Sequence, residues 1–284
     1  MLTIGGNDAR VWSLAQKKPI MSYSPHGAVS TAALSPDGAL AATGSWDNSI
    51  KLWDTSTGKA VRKLDGGHGG AVNSVQFSPD GQWLLSASDD GTAALWPLAQ
   101  GETRVLKTDQ TRVHHATFSA DGRRILTTGA DGTAKLWHTD SGELVRTLRG
   151  HEAGVLCGSF SHDGKQIATG GHDFSAILWD ASTGERLHTL AGHSASVTSV
   201  AFSRTGDRLL TGGQDRAAKL WDTVRGQEIL TLDGHTREVT ALAFSPTGNE
   251  ALTASRDGTA ILWLAEPWEG APAQVAEARG ATAP

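Results

Sequence analysis

The unit that decides the fold is clearest between residues 192 and 222, where the chain reads GHSASVTSVAFSRTGDRLLTGGQDRAAKLWD. Its apolar runs, such as 208–211 and 218–221, are too short for helices and are bounded by turn residues. Gly, Asp and Ser at the turns, as at Ser203 to Gly206, are typical of connections between antiparallel strands. A further turn, like the one from Asp54 to Gly58, leads to a fourth strand. The stretch therefore predicts a four-stranded unit.

The same unit recurs along the whole chain, and each copy ends near a tryptophan. These residues are 41 to 43 positions apart, and they are Trp12, Trp53, Trp96, Trp137, Trp179, Trp221 and Trp263. A four-stranded unit of this length cannot bury both of its faces alone, whereas similar units arranged radially cover one another. The chain is therefore predicted to be all-β, a seven-bladed β-propeller of four-stranded antiparallel blades.

The two ends of the chain depart from the regular pattern. The first blade is predicted to be incomplete, because it begins with what looks like a second strand, from Leu2 to Gly5. Either the chain is the C-terminal part of a longer protein that supplies the missing strand, or the ring closes imperfectly. The propeller is expected to span residues 1–266. Residues 267–284 form a tail rich in Pro, Ala and Gly, in which one strand would complete the last blade.

Composition argues against several classes of partner. The net charge is −5 with basic and acidic residues interleaved, so no general attraction to nucleic acid or to acidic membranes is expected. The single cysteine, Cys157, fits a reducing compartment. No apolar run approaches the roughly 20 residues that span a bilayer, and no secretory leader is recognisable. A cytoplasmic protein without a membrane partner is expected.

The residues that open and close the units resemble the WD-repeat family. Gly-His pairs open units at residues 67–68, 150–151, 192–193 and 234–235, and Trp-Asp pairs close units at residues 53–54, 179–180 and 221–222. The resemblance covers nearly all of the chain. It implies a structural hydrogen-bond network of His, a hydroxyl, Asp and Trp in each blade.

Two blades carry a complete set for this network, and in the others a member is replaced or, as with His26, displaced by one residue. The complete sets are His68, Ser88, Asp90 and Trp96, and His235, Ser255, Asp257 and Trp263. Glycines 171 and 213 replace the hydroxyl in the two sets between them, which are His151, Asp173 and Trp179, and His193, Asp215 and Trp221. Ahead of Trp137, Asp109 and Gly129 replace both the histidine and the serine.

Candidates for catalysis or metal binding are few. Adjacent histidines in a strand point to opposite faces, so His114 and His115 would not ligate one ion without a bulge. A nucleophile elbow of the form Gly-x-Ser-x-Gly is not recognisable, and the paired glycines recur with the repeat instead of opening a helix. The chain is therefore predicted to be a non-enzyme that needs no cofactor and no metal.

The resemblance implies which residues contact a partner. They are the residue before each turn aspartate and the two residues that flank the first valine of each inner strand. The candidates chosen from these positions are Trp46, Asp89, Arg112, His114, His172, Gln214, Glu238 and Arg256. Trp46 is the first choice as an anchor, because aromatic side chains dominate interface hot spots.

The function predicted from the sequence is a scaffold that presents a propeller face to a protein or peptide partner. The alternative is a sensor or scaffold segment of a larger multidomain protein with an enzymatic activity elsewhere. A propeller enzyme would depend on His114, His172, Asp89 and Glu238. Nucleic-acid binding through Arg112 and Arg256 is disfavoured by the net charge. The sequence identifies neither the partner nor the oligomeric state.

Overall fold

The computed structural model describes residues 2–5, 8–13, 18–23, 28–245 and 247–264. The regular structure of these residues is β-strand, and none of them belongs to a helix long and apolar enough to cross a membrane. The chain divides into two compact units, Met1–Thr147 and Leu148–Pro284. The prediction of one domain over residues 1–266 stays a prediction, and the predicted tail strand lies outside the described residues.

The first unit contains strands β1 to β14, and its boundary with the second unit falls within β15. The strands are β1 (Leu2–Gly5), β2 (Asp8–Ser13), β3 (Lys18–Tyr23), β4 (Val29–Leu34), β5 (Leu40–Ser45), β6 (Ile50–Asp54), β7 (Ala60–Leu64), β8 (Val72–Phe77), β9 (Trp83–Ser88), β10 (Thr92–Pro97), β11 (Arg104–Lys107), β12 (Val113–Phe118), β13 (Arg124–Gly129), β14 (Thr133–His138) and β15 (Leu144–Arg149).

The second unit repeats the same short strands. They are β16 (Val155–Phe160), β17 (Gln166–Gly171), β18 (Ser175–Asp180), β19 (Arg186–Ala191), β20 (Val197–Phe202), β21 (Arg208–Gly213), β22 (Ala218–Asp222), β23 (Gln227–Leu232), β24 (Val239–Phe244), β25 (Glu250–Ser255) and β26 (Ala260–Leu264).

Each group of consecutive strands forms one antiparallel sheet in chain order. Five sheets have four strands, namely β4–β7, β8–β11, β12–β15, β16–β19 and β20–β23. The described residues of β1–β3 and β24–β26 form three-stranded sheets. Chain-order pairing follows from the short turns, which allow neighbouring strands to pair only with each other.

Six of the sheets share a bulged first strand. The register shifts directly after the first valine, at Val29, Val72, Val113, Val155, Val197 and Val239. The described residues of the sheet β1–β3 include no such strand, in agreement with the expectation that the first copy begins at its second strand. Six sheets therefore contain the bulged inner strand, so the described residues form six blades of this kind, and the prediction of seven is wrong. Tryptophan spacing counted the partial first copy as a blade.

The hydrophobic cores lie between consecutive blades. In the first unit, Ile50 and Leu52 of one blade pack with Val72, Leu84 and Trp96 of the next. In the second unit, Leu178 and Leu190 pack with Val197, Leu209 and Trp221 in the same way. Within each unit, these blades therefore bury apolar faces against their neighbours, as the repeat pattern predicted.

Candidate functional site

The second turn of each blade has a fixed backbone shape. In blade β8–β11, the amide of Thr92 donates to Oδ1 of Asp90 at 2.9 Å, and Gly91 between them has a φ of 82°. The amide of the preceding residue, Asp89, donates to the carbonyl of Ala71 at 2.9 Å. The aspartate therefore fixes the backbone of the turn.

In all six blades, the amide of the residue before the turn aspartate donates a hydrogen bond to a carbonyl at the start of the inner strand. The pairs that it joins are Trp46 with Ala28, Asp89 with Ala71, Ala130 with Arg112, His172 with Gly154, Gln214 with Ser196, and Arg256 with Glu238. In each pair the second residue directly precedes the first valine of the inner strand. Two of the three predicted contact positions are thus brought together in every blade.

A hydrogen-bonded network fixes each turn to its blade. In blade β20–β23, Nδ1 of His193 lies 2.9 Å from Oδ2 of Asp215, and Nε2 lies 2.7 Å from Oγ1 of Thr211. The indole of Trp221 donates to the same hydroxyl at 2.8 Å. The Asp215 carboxylate also accepts a hydrogen bond from the amide of Ser194 at 3.0 Å. The network therefore joins the opening segment, two strands and the turn.

The hydroxyl in these networks lies two residues earlier than the sequence analysis placed it. The bridging residues are Ser86, Thr169, Thr211 and Thr253. Ser88 instead donates to the carbonyl of Gly70 at 2.9 Å, and Ser255 donates to that of Arg237 at 3.1 Å. Residues two apart in a strand share a face, and the tryptophan reaches only the earlier one.

Glycines 171 and 213 therefore leave no gap in their networks. A Cβ atom at Gly171 would lie 2.6 Å from Nδ1 of His151 and 2.7 Å from Oδ1 of Asp173. The glycine makes room for the histidine and the aspartate, and Thr169 supplies the hydroxyl for His151. The glycine is therefore not a missing hydrogen-bond partner; it allows the histidine and the aspartate to lie close to the backbone.

Blade β12–β15 uses glutamine in place of histidine. Oε1 of Gln110 accepts from Thr127 at 3.0 Å, and its Nε2 donates to the carbonyl of Thr133 at 2.9 Å. The indole of Trp137 donates to the same threonine hydroxyl at 3.0 Å. Gln110 stands three residues before the inner strand, one fewer than the histidines, and Asp109 before it has a φ of 55°. This substitution was not predicted, because Asp109 and not Gln110 stands at the sequence position of the histidines.

Burial and hydrogen bonding lower the pKa values of several groups in these networks. Burial lowers the pKa of His68, His151 and His193, and the nearby aspartates only partly oppose this effect. Burial acts to raise the pKa of Asp90, but hydrogen bonds from Thr92 and Gly69 outweigh it and hold the pKa below its usual value. His68, His151 and His193 are therefore largely neutral and Asp90 is charged at neutral pH.

The candidates in the first unit differ strongly in exposure. Trp46 is 67% exposed, and Arg112 is exposed as well. Asp89 is half-buried and accepts a hydrogen bond from Nδ2 of Asn73 at 2.8 Å. His114 is half-buried and occupies the bulge of β12. Trp46 and Arg112 are thus the candidates of this unit that project furthest into solvent.

The candidates in the second unit are partly engaged with one another. Nδ1 of His172 lies 3.0 Å from Oγ of Ser196. Nε of Arg256 lies 2.6 Å from Oε1 of Glu238, so these two charges offset each other. Gln214 is exposed. This arrangement offers hydrogen-bonding groups at three neighbouring turns.

Some bulge residues connect one blade to the next. Nδ2 of Asn73 donates to the carbonyl of Val113 at 2.9 Å. Ser30 and Thr198 donate in the same way to the carbonyls of Val72 and Val239. These side chains, which the sequence analysis counted as flanking contact positions, therefore hold neighbouring inner strands together.

The described residues offer little for catalysis. Burial raises the pKa of the Cys157 thiol to about 12, so the thiolate is scarce at neutral pH. Within the described ranges, no three His, Cys, Asp or Glu side chains are grouped as a metal would require. What the geometry provides is a set of rigid turns with varied side chains.

Comparison with known proteins identifies the repeat. The family model for "WD domain, G-beta repeat" matches residues 17–54, 58–97, 101–138, 142–180, 184–222 and 226–263. These six matches include most of the chain and agree in number with the six blades that contain a bulged inner strand. The predicted fold class, an all-β propeller of four-stranded antiparallel blades, is confirmed with this corrected count.

Two curated proteins are similar to short segments of this chain. The chain is 42% identical over 59 residues to the small ribosomal subunit protein RACK1y of Oryza sativa subsp. japonica. It is 44% identical over 52 residues to eukaryotic translation initiation factor 3 subunit I of Emericella nidulans. The matches cover 20% and 18% of this chain, and 18% and 16% of the respective relatives.

Proposed function

Because the chain belongs to the WD40 repeat family, we propose that it is a non-catalytic scaffold that binds a protein or peptide partner through the second turns of its blades. The observation that carries this proposal is the exposed indole of Trp46 on a rigid turn. The family alone would be insufficient support, since one fold hosts many functions.

The turn that holds Trp46 is tied down on both sides. Oγ of Ser45 donates to the carbonyl of Ala28 at 2.8 Å, and the amide of Trp46 donates to the same carbonyl at 3.3 Å. The amide of Ser49 donates to Oδ1 of Asp47 at 2.9 Å. A fixed backbone loses little conformational entropy on binding, so an aromatic side chain here favours association.

The chemical variety of the turns supports a specific partner. Trp46, Asp89 and Ala130 occupy equivalent positions in the first unit, and His172, Gln214 and Arg256 occupy them in the second. The surrounding aspartates and tryptophans repeat, whereas these side chains change in size and charge. Such variation on a constant frame discriminates between partners.

The relatives fit a role in assembly. One is named as a ribosomal subunit protein and the other as an initiation factor subunit, so both are components of larger complexes. By analogy, we place this chain in the cytoplasm as a component of a protein assembly, either alone or as the scaffold segment of a larger protein. No cofactor or metal is part of this proposal.

The test is a capture experiment from a lysate of the source cells. It compares the parent with a Trp46→Ala, Arg112→Ala double variant that is shown to fold. Val61→Ala is the matched control, because Val61 is 60% exposed but lies on the outer strand β7. Parent and control are expected to retain the same proteins, and the double variant is expected to lose them. Equal retention by all three would contradict the proposal.

A further inference from the structure

The residue after the turn aspartate has a left-handed backbone in all six blades. Glycine occupies this position in three blades, with φ values of 82°, 78° and 85° at Gly91, Gly132 and Gly258. Asn48, which tolerates this conformation, occupies it in a fourth. In the remaining two blades the residues are Phe174 and Arg216, with φ values of 68° and 74°.

Phe174 and Arg216 are costly choices for these turns. A left-handed backbone is unfavourable for residues with a bulky side chain, and glycine or asparagine would remove most of the cost. Nevertheless Phe174 is 47% exposed, so its ring gains little from burial. Strain that persists without a packing benefit is a feature of functional sites.

The two strained turns belong to neighbouring blades and are connected. Nδ1 of His172 lies 3.0 Å from Oγ of Ser196, and the carbonyl of Ser196 accepts the amide of Gln214 at 2.9 Å. His172 is two residues before Phe174, and Gln214 is two residues before Arg216. The Phe174 ring and the Arg216 guanidinium group therefore belong to two adjacent turns, which hydrogen bonds connect through Ser196.

The exposed charges around this edge favour an acidic ligand. The carboxylates of Asp173 and Asp215 are turned inward, with side-chain exposures of 12% and 9%. Arg216 and Arg237 are exposed, and neither forms an ion pair with another described residue. Glu152 is an exposed acid on the opening segment of blade β16–β19. Arg216 is therefore an exposed cation that no acid among the described residues neutralises.

We propose that Phe174 and Arg216 form a peptide-binding surface for an extended acidic segment of a partner protein. An apolar side chain of the segment packs on the Phe174 ring, and a neighbouring carboxylate pairs with the Arg216 guanidinium group. This inference rests on the proposed scaffold function and assigns to it a second contact surface and the chemistry of its ligand.

The test uses a displayed library of random linear peptides of about ten residues, which can extend over roughly 30 Å. The parent is compared with Phe174→Asn and Arg216→Asn, since Asn48 already occupies the equivalent position in this chain. Val224→Asn is the control, because Val224 is 74% exposed on a turn outside this surface. Thermal unfolding of all four proteins is measured in parallel.

The parent and Val224→Asn are expected to enrich peptides with Asp or Glu beside a large apolar residue. Each of the other two variants should weaken binding of such a peptide by about tenfold or more, while unfolding at the same or a higher temperature than the parent. Equal binding by all four proteins would overturn the inference. A lower unfolding temperature of Phe174→Asn would overturn it too, because the ring would then serve packing.

The inference and the proposed function fail in distinguishable ways. If the parent enriches no acidic and apolar peptides but still captures a protein through Trp46, the second surface is wrong and the scaffold function stands. If neither experiment yields a Trp46-dependent or Phe174-dependent ligand, both are wrong.

Discussion

The hydroxyl of Thr211 lies 2.8 Å from the indole nitrogen of Trp221, ten residues along the chain, and both residues are buried. The indole can only donate and the Asp215 carboxylate can only accept, so the neutral ring of His193 carries its proton on Nδ1 and the hydroxyl donates to Nε2 at 2.7 Å. The Nδ1 proton of the histidine is then directed to Asp215. One ordered chain of donors therefore joins the core of the blade to its turn.

Removing the bridging hydroxyl should destabilise the protein. Thr211→Val keeps the shape of the side chain but leaves the Trp221 donor and the His193 acceptor without a partner. Each unsatisfied buried group costs about 1–3 kcal/mol. Urea denaturation should show a lower free energy of unfolding, with Thr236→Val as an exposed control that changes it little. Unchanged stability of Thr211→Val would show that the hydroxyl is dispensable.

Loss of the tryptophan should cost more than loss of the turn aspartate. Trp221 is 2% exposed and packs against the preceding blade, so Trp221→Ala should lower the free energy of unfolding by about 3–5 kcal/mol. Asp215→Ala removes hydrogen bonds at the turn but leaves the core filled. Calorimetric melting of the two variants and the parent gives the order, and the reverse order would contradict it.

The regular parts of the fold were predictable from the sequence because turn chemistry and strand length repeat in every copy. In four blades the turn aspartate bonds to the histidine and the tryptophan bonds to a hydroxyl, as the resemblance to the WD-repeat family implied. The blade count was wrong because Trp12 marks a copy whose described residues include no bulged inner strand. Tryptophan spacing alone does not detect a missing strand.

The irregular parts of the site required the structure. Thr169 and Thr211 were overlooked because their hydroxyls bond to a tryptophan on the neighbouring strand. Two residues of each strand share the same face, and the sequence alone does not show which of them lies next to the indole. Gln110 was overlooked because a shorter loop shifts it by one position. The strain at Phe174 is a backbone property, and a residue type in a variable turn does not reveal it.

Gln110 should prove as important to its blade as the histidines are to theirs. Gln110 is 3% exposed, and Gln110→Leu would leave Thr127 and Thr133 with one partner fewer each. The expected loss is about 1–3 kcal/mol of unfolding free energy, measured by urea denaturation. Gln214→Leu makes the same chemical change at an exposed turn and should have little effect. Equal effects of the two variants would contradict a structural role for Gln110.

Stability should fall as the solution becomes acidic. The folded-state pKa values of His68, His151 and His193 are lowered from 6.5, so the unfolded chain takes up protons first as the pH falls through that value. The lowered pKa values of Asp90 and Asp173 extend the loss below pH 3.8. Urea denaturation at about pH 7.5 and about pH 5.5 should give a lower free energy of unfolding at the acidic value.

A histidine variant separates this effect from general acid sensitivity. His151→Gln should reduce the difference in unfolding free energy between the two pH values, because one buried proton acceptor is lost. His138→Gln, at an exposed position, should retain the difference seen in the parent. Higher stability at the acidic pH, or the same pH dependence in His151→Gln as in the parent, would contradict the assignment.

The most direct test of the scaffold function is site-specific photo-cross-linking in lysate. A photoreactive amino acid replaces Trp46 in one protein, Gln214 in a second and Val61 in a third, all at exposed positions. The turn positions Trp46 and Gln214 are expected to give discrete cross-linked protein bands, and Val61 on the outer strand is expected to give none. Cross-links at Val61 alone, or the same bands from all three positions, would contradict binding through the blade turns.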